Sequence, residues 1–555
     1  AIGAFDGMHV IYKMIEAMAW EVARTGDPAL DARIRELGAL IAQVQESDGY
    51  LNTKFGRPGQ EPRYSDLAWG HELYCYGHLI QAAVARLRSG VRDELVEVAL
   101  RAADHLCDAF GPDGIDGVCG HAEIEPALVE LYRVTGEQRY LDQAALFIDR
   151  RGHQSLPDIE FSRAYYQDDQ PIREAEVMRG HAVRAMYLAA GAIDVAVETE
   201  DNALLDVVRS QFERTLARRT YLTGGMGSHH QDEAFGEDFE LPPDRAYAET
   251  CAGIGAVMVA WRLALATGDL AWGDVVERSL FNVVATSPSS AGDAFFYTNP
   301  LHKRVEGQEA DPEVVSPRAY AQLRAPWFEV SCCPTNVART FASLAGYLAT
   351  VSEAGIALHQ YAPCEIRTTL DGGAPVGLDV ATTYPQEGEI AVTITQAPDQ
   401  EWELALRIPA WAQGQALLDG ELVTGPVGRV RRTFVAGDVV RLSLPVQARV
   451  TAPDPRIDAV RGCVAVERGP VVLCLESVDI DGRDVAGVLV DSGSVTEDAD
   501  GVWLTGRDAS IVDRAWPYGT EAGGAAGEAY RIALTPYHSW GERGPATMRV
   551  WLPTG

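Results

Sequence analysis

Positive charge is what this chain has least of. Lys and Arg number 47 against 80 Asp and Glu, a formal net charge of −33. That balance excludes nucleic acid and anionic membranes as partners, since both bind basic surface. It does not exclude a small neutral ligand. Long apolar runs are missing too: no stretch of about 18 uncharged apolar residues occurs, so no membrane span is expected. Cysteine is thin, nine residues in 555, an odd number too dispersed for the disulfide framework of a small secreted domain. Residues 1–5 show no basic segment leading into an apolar one, and the chain does not open on Met. The expectation is a cytoplasmic protein in a reducing compartment, with no signal peptide and an N-terminal piece missing or processed. At 47% apolar and 23% charged the composition is globular, and the length implies two or three domains.

What is present centres on Ser331-Cys332-Cys333-Pro334-Thr335-Asn336. Adjacent cysteines do not easily bond to each other, and Cys thiolate is a strong zinc ligand. Pro334 suits the first turn of a helix, and residues 337–348 read as its apolar continuation. The pair would then sit at a helix N-terminus, whose partial positive charge favours thiolate over thiol. The plain alternative is two cysteines that only pack in a core.

Residues 10–350 carry a helical period. Residues 11–23 and 29–44 form one pair of apolar-faced helices around Gly26-Asp27-Pro28. A unit then recurs: a polar residue, an Ala- and Leu-rich helix, a stop near Gly, a second helix. It opens at His71, His121, His181, Glu249 and Cys332, at spacings too long for tetratricopeptide or ankyrin repeats. With the N-terminal pair, six hairpins predict an (α/α)6 barrel over 1–355. If the polar-headed helices form its inner ring, their first turns converge at one end. One histidine at a helix start is usually a satisfied structural residue; three in register with a Glu-x-Cys and a Cys-Cys predict a site. Beyond Gly355 the period becomes two, at 389–395, at 402–408 and in two strands around Gly437-Asp438. This predicts a β-sandwich over 356–452 and a second sandwich-like domain over 453–555, with strands at 463–475 and 548–552 and a Gly/Ala-rich loop at 522–529. Cys364, Cys463 and Cys474 are expected core residues. The β region shows no catalytic cluster and is expected to be a lid, a scaffold or a homodimer surface.

The spacing of Glu249, Cys251, Cys332 and Cys333 is not that of zinc-finger knuckles, but one carboxylate with three thiolates selects zinc over magnesium or calcium. A second feature is the loop 223–247, long and rich in Gly, His and acids (Asp232, Glu233, Glu237, Asp238, Glu240). Loops of this length in compact domains are commonly functional. Glu233 precedes Ala234-Phe235, an apolar setting that would suit a general acid.

Taken together, Cys332-Cys333-Pro334, Glu249-Thr250-Cys251, the 223–235 loop, the Gly-His helix starts and the β motifs at Arg407-Ile408-Pro409 and Arg468-Gly469-Pro470 resemble glycoside hydrolase family 127 along nearly the whole chain. The resemblance implies an (α/α)6 barrel followed by β-sandwich domains and a retaining β-L-arabinofuranosidase type of activity on a small carbohydrate. It implies Cys332 as nucleophile, Glu233 as general acid/base, and Zn2+ on Glu249, Cys251, Cys332 and Cys333. His71, His121 and His181 would line the sugar site. The family carries residues, including a sugar contact, ahead of this chain's first. Two other readings stand beside it: a sugar isomerase or epimerase using His121 or His181 as base, and a non-catalytic carbohydrate-binding protein with structural zinc.

Overall fold

The computed structural model describes residues 7–555 except 309–310, 312–313, 317–322, 371, 511–514, 517 and 521–523. Among the described residues eleven α-helices come first: α1 Met8–Thr25, α2 Pro28–Val44, α3 Glu72–Arg88, α4 Glu94–Phe110, α5 Ile124–Thr135, α6 Gln138–Arg150, α7 Ala182–Glu198, α8 Asn202–Arg218, α9 Thr250–Thr267, α10 Gly273–Ser279 and α11 Cys333–Ala342. The odd-numbered helices form a closed inner ring, each packed on the next, with α11 returning to α1. α3, α7 and α9 are buried on nearly every side, whereas α4 and α6 bury one stripe and act as the outer layer.

Sequence dictates this division locally. Asp27, Asp93 and Asp201 cap α2, α4 and α8 by accepting backbone N–H bonds in the first turn. Glycines set how closely the inner helices approach. A Cβ at Gly77 of α3 would lie 2.6 Å from Glu123 Cγ, and one at Gly255 of α9 would lie 2.6 Å from Met186 Cβ on α7. α9 is apolar and long enough to cross a bilayer by composition, although Arg262 interrupts it; here it is a core helix, mostly buried inside the barrel. The seam between α11 and α1 is tied by a buried ion pair, Arg339 to Glu16 at 3.1 Å, with Arg339 also donating to the Tyr187 hydroxyl at 2.9 Å.

Two helix expectations need correction. The helix over 337–348 stops at Ala342; Ser343 turns its hydroxyl onto the carbonyls of Arg339 and Thr340, and only a 3₁₀ turn, Leu344–Tyr347, follows. The sixth hairpin therefore has an inner helix and no outer α-helix, because the chain enters the strand Ala349–Ser352 at once.

The middle unit is a sandwich of a four-stranded and a six-stranded sheet around one core that includes Leu378, Ile394, Trp402 and Leu404. The strands flanking Gly437-Asp438, Val427–Thr433 and Val439–Ser443, lie in different sheets. The last unit is built on a nine-stranded sheet. The expected loop at 522–529 is a correction: Ala525–Pro536 is a long strand, with Ala525 and Ala526 opposite Ala509 and Asp508, and the ladder overrides the weak strand preference of Gly and Ala. Residues 522 and 523 lie outside the described residues. The span 548–552 holds two short strands, Met548–Arg549 and Leu552–Pro553, with different partners. Cys474 is fully buried, while Cys364 and Cys463 are half-buried; all nine cysteines are free.

Both β units grip the barrel. Arg407, fully buried, donates to Glu277 at 2.6 Å and pairs with Asp274, both on α10. The Asn282 side chain bonds Pro470 O and Val472 N, at 2.9 and 2.8 Å. A two-residue strand of the barrel region, His302–Lys303, joins the C-terminal sheet beside Met548–Arg549.

Candidate active site

The polar-headed helices do converge. His71, His181, Glu249 and Cys332 stand immediately before α3, α7, α9 and α11, at their N-cap positions, and His121 lies just before α5. Cys251 and Cys333 fall in the first turns of α9 and α11. All except Cys333 line one pocket, joined by Glu233. With its open mouth the pocket measures about 770 Å³.

The deep end is a four-residue cluster. Cys251 Sγ lies 3.5 Å from the sulfurs of both Cys332 and Cys333, which are 3.8 Å apart. Glu249 Oε1 is 3.3 Å from Cys332 Sγ and 3.7 Å from Cys333 Sγ. Zn–S bonds of about 2.3 Å in a tetrahedron give S···S edges of about 3.8 Å, so the four donors already stand close to the corners such an ion requires. Charge points the same way. Hydrogen bonding to Cys251 pushes Cys332 up to about 12, and burial holds the Cys333 thiol and the Glu249 carboxyl protonated well above their usual ranges. Burial also opposes ionisation of Cys251, but its hydrogen bonds with Cys332 and Cys333 bring it down to about 5. A divalent cation bound among these groups would displace their remaining protons and offset the charge left on the sulfurs and the carboxylate.

The three histidines form a row, ring centres 6.1 Å apart from His71 to His121 and 6.0 Å from His121 to His181. Burial lowers all three, His71 to about 3, so they are neutral at pH 7. His71 Nδ1 donates to Trp69 O at 2.6 Å and His121 Nδ1 to Ala122 O at 2.7 Å. Each is thereby set with Nε2 as its acceptor nitrogen. His71 achieves this from a left-handed backbone, φ +59°.

Glu233 shares that backbone region, φ +57°, where a non-glycine residue is strained and persists only if its surroundings fix it. They do: its carbonyl accepts from Ala182 N at 3.0 Å, Phe235 N donates to Gly180 O at 3.0 Å, and its carboxylate lies 3.2 Å from His181 Nε2. Among the other loop acids, Asp238 is taken by Arg214, Arg218 and Arg219, and Glu237 is almost fully exposed.

Sequence reading missed several residues of this pocket, Tyr297 and Arg184 among them. The Tyr297 hydroxyl lies 3.2 Å from Cys332 Sγ. Arg184, 2% exposed, stacks its guanidinium against Trp69, Tyr165 and Tyr166 in the pocket wall. Arg184 lies three residues after His181 on α7, one helical turn on, a signal that was available. Tyr297 sits in an irregular segment without period and offered none.

The family model described as the Beta-L-arabinofuranosidase GH127 catalytic domain matches residues 4–346, and models for the family's middle and C-terminal domains match 355–446 and 448–553. The chain belongs to glycoside hydrolase family 127. It is 33% identical to a non-reducing end beta-L-arabinofuranosidase of Bifidobacterium longum subsp. longum, over 98% of this chain and 88% of that one. A crystal structure of a GH127 beta-L-arabinofuranosidase from Geobacillus stearothermophilus T6 superposes with a TM-score of 0.88 at 32% identity, covering 98% and 90% of the two chains. A GH127 beta-arabinofuranosidase gives 0.86 at 31% identity, covering 100% and 89%. This family-127 protein is therefore a glycoside hydrolase with a helical barrel and sandwich domains, which leaves the isomerase and binding-protein readings unsupported.

Proposed function

We propose that the protein removes a terminal β-L-arabinofuranosyl residue, or a closely related sugar, with retention of configuration and with Cys332 as nucleophile. The observation that carries this reading is the placing of Cys332. Of the three clustered cysteines it alone is only half-buried, and it lines the pocket, whereas Cys333 is sealed behind it.

Glu249, Cys251, Cys332 and Cys333 would hold zinc, which when bound keeps the sulfurs ionised at neutral pH and eases departure of Cys332 from a sugar. His71 and His121 accept hydrogen bonds from sugar hydroxyls through Nε2. His181 positions the Glu233 carboxyl. In the first step Cys332 sulfur bonds to the anomeric carbon, the glycosidic C–O bond breaks, and its electron pair leaves with the oxygen, which takes a proton from Glu233. In the second, Glu233 takes a proton from water, the water oxygen bonds to the anomeric carbon, and the C–S bond breaks with its pair returning to sulfur. The test is a panel of aryl glycosides differing only in the sugar, with the first-formed anomer followed by NMR. Release of the β-anomer from β-L-arabinofuranoside is expected; inversion, or no turnover of any furanoside, overturns the reading.

A further inference from the structure

The pocket opens at Phe161 and Gln231 into a second, wider groove, which both residues also line. With its open mouth it measures about 2000 Å³, against about 770 Å³ for the pocket. We propose that this groove holds the leaving side of the substrate, a neutral oligosaccharide of at least two sugar units. The inference rests on the glycosidase reading above and deepens it.

Its direction follows from the chemistry. A general acid has to stand on the leaving-group side of the anomeric carbon, because it protonates the departing oxygen. Gln231, Asp232 and Glu233 are consecutive, Gln231 and Asp232 line the groove, and Glu233 faces the pocket. The acid is thus at the junction, and whatever departs from it departs into the groove. Phe161, half-buried at the same junction, offers a ring face to the first sugar of the leaving group.

The neutral character follows from the walls. Three acids (Asp232, Glu240, Asp244) and three bases (Arg245, Lys303, Arg304) line the groove. Several are paired with one another or with His229: Arg304 with Asp244 at 2.9 Å, and His229 with Glu240 at 3.1 Å and with Asp232 at 3.6 Å. Charge is compensated inside the wall, so neither a polyanion nor a polycation gains from entering, while hydroxyl groups find both donors and acceptors. His302 adds an independent sign of a ligand. It is 3% exposed, lines the groove, and its Nε2 has no hydrogen-bond partner; a buried polar atom left so is costly unless something meets it.

The experiment compares kcat/KM on an aryl β-L-arabinofuranoside, which fills the pocket only, with that on arabinofuranosyl di- and trisaccharides, in the wild type and in His302→Ala and Arg304→Gln. Arg304 has a mostly exposed side chain, so its variant folds even if His302→Ala does not. The wild type is expected to favour the trisaccharide over the disaccharide at least fivefold. Each folded variant is expected to lose at least threefold of that preference, with the aryl substrate changed less than twofold. Equal kcat/KM on di- and trisaccharide, or variants that keep the preference, overturns the proposal. Calorimetric binding of arabinobiose, with digalacturonic acid as the charged comparator, separates this from failure of the function itself. If no furanoside is cleaved, binding of arabinobiose that weakens in Arg304→Gln still supports the groove. No binding, or tighter binding of the diacid, rejects it.

Discussion

The hydroxyl of Tyr297 meets the sulfur of Cys332 at 3.2 Å. Burial and the nearby Cys332, Glu249 and Glu233 hold the phenol far above its ordinary range, so it keeps its proton and is able to donate to Cys332 once that sulfur is ionised. Under the proposed mechanism such a bond would steady the Cys332 thiolate and set its line of attack. Tyr297→Phe is expected to lower kcat by about tenfold to a hundredfold, the value of one hydrogen bond to a charged atom. Metal content should be unchanged, checked by elemental analysis beside steady-state kinetics.

Under the proposed mechanism, Glu233→Gln removes the proton that a poor leaving group requires. Turnover of an alkyl or sugar glycoside should fall by about a hundredfold or more. For an activated aryl glycoside the first step should be much less affected, and a burst of phenol followed by slow turnover should appear in stopped-flow traces. Equal losses on both substrates would remove Glu233 from the role.

Cys332 and Cys333 should differ in reactivity although both belong to the cluster. An electrophilic furanoside inactivator is expected to label Cys332, with the adduct located by peptide mass spectrometry. Cys333→Ser should reduce zinc content more than it alters the labelling site. An adduct on Cys333 or Glu249 would refute the assignment.

The buried histidines predict acid sensitivity. His71 has a folded pKa of about 3 against an ordinary value near 6.5. Its stabilising contribution is complete above pH 6.5 and is lost as pH falls from there toward 3, because the unfolded chain takes up the proton first. Between pH 6.5 and 5 this one residue would cost up to about 2 kcal/mol. His71→Asn tolerates the left-handed backbone and should flatten the dependence of the urea midpoint on pH in that interval. An unchanged slope would contradict it.

Trp540 offers a test of the C-terminal domain. It is fully buried and stacks on Phe296, ring centres 4.7 Å apart, and Phe296 directly precedes Tyr297. Arg324 ties the same region together by donating to the carbonyls of Thr286, His538 and Trp540. The domain brings no pocket-lining group among the described residues, yet it braces the segment that carries one. Trp540→Ala should cost about 3–5 kcal/mol of stability and also lower kcat on every substrate alike.

The barrel was legible because its signal is local. Helix pairs show as period and caps, and Gly-His starts in register mark one end of a ring; the site's cysteines and histidines could be read from the same pattern. Tyr297 could not, since its position comes from Phe296 resting on a tryptophan more than two hundred residues later. The strand at Ala525–Pro536 was hidden for a related reason: its glycine and alanines favour no strand alone, and the neighbouring strand supplies the ladder. The shortened α11 shows the limit of period counting, because Ser343 ends the helix by bonding backward while the apolar spacing continues.

Closure of the ring by α11 against α1 also sets an order of events during synthesis. Met8–Thr25 emerges well before α11, and the face that Arg339 and its helix will cover has no partner until Cys333–Ala342 has been made. At ordinary translation speeds that interval is roughly a quarter of a minute to a minute. Towards its end the nascent chain carries an open-sided barrel with Cys251 already made and the other two thiols not yet translated. The cysteine cluster is thus among the last parts of the barrel to form, and a ribosome stalled before residue 333 would hold an apolar, unclosed ring for chaperones to guard.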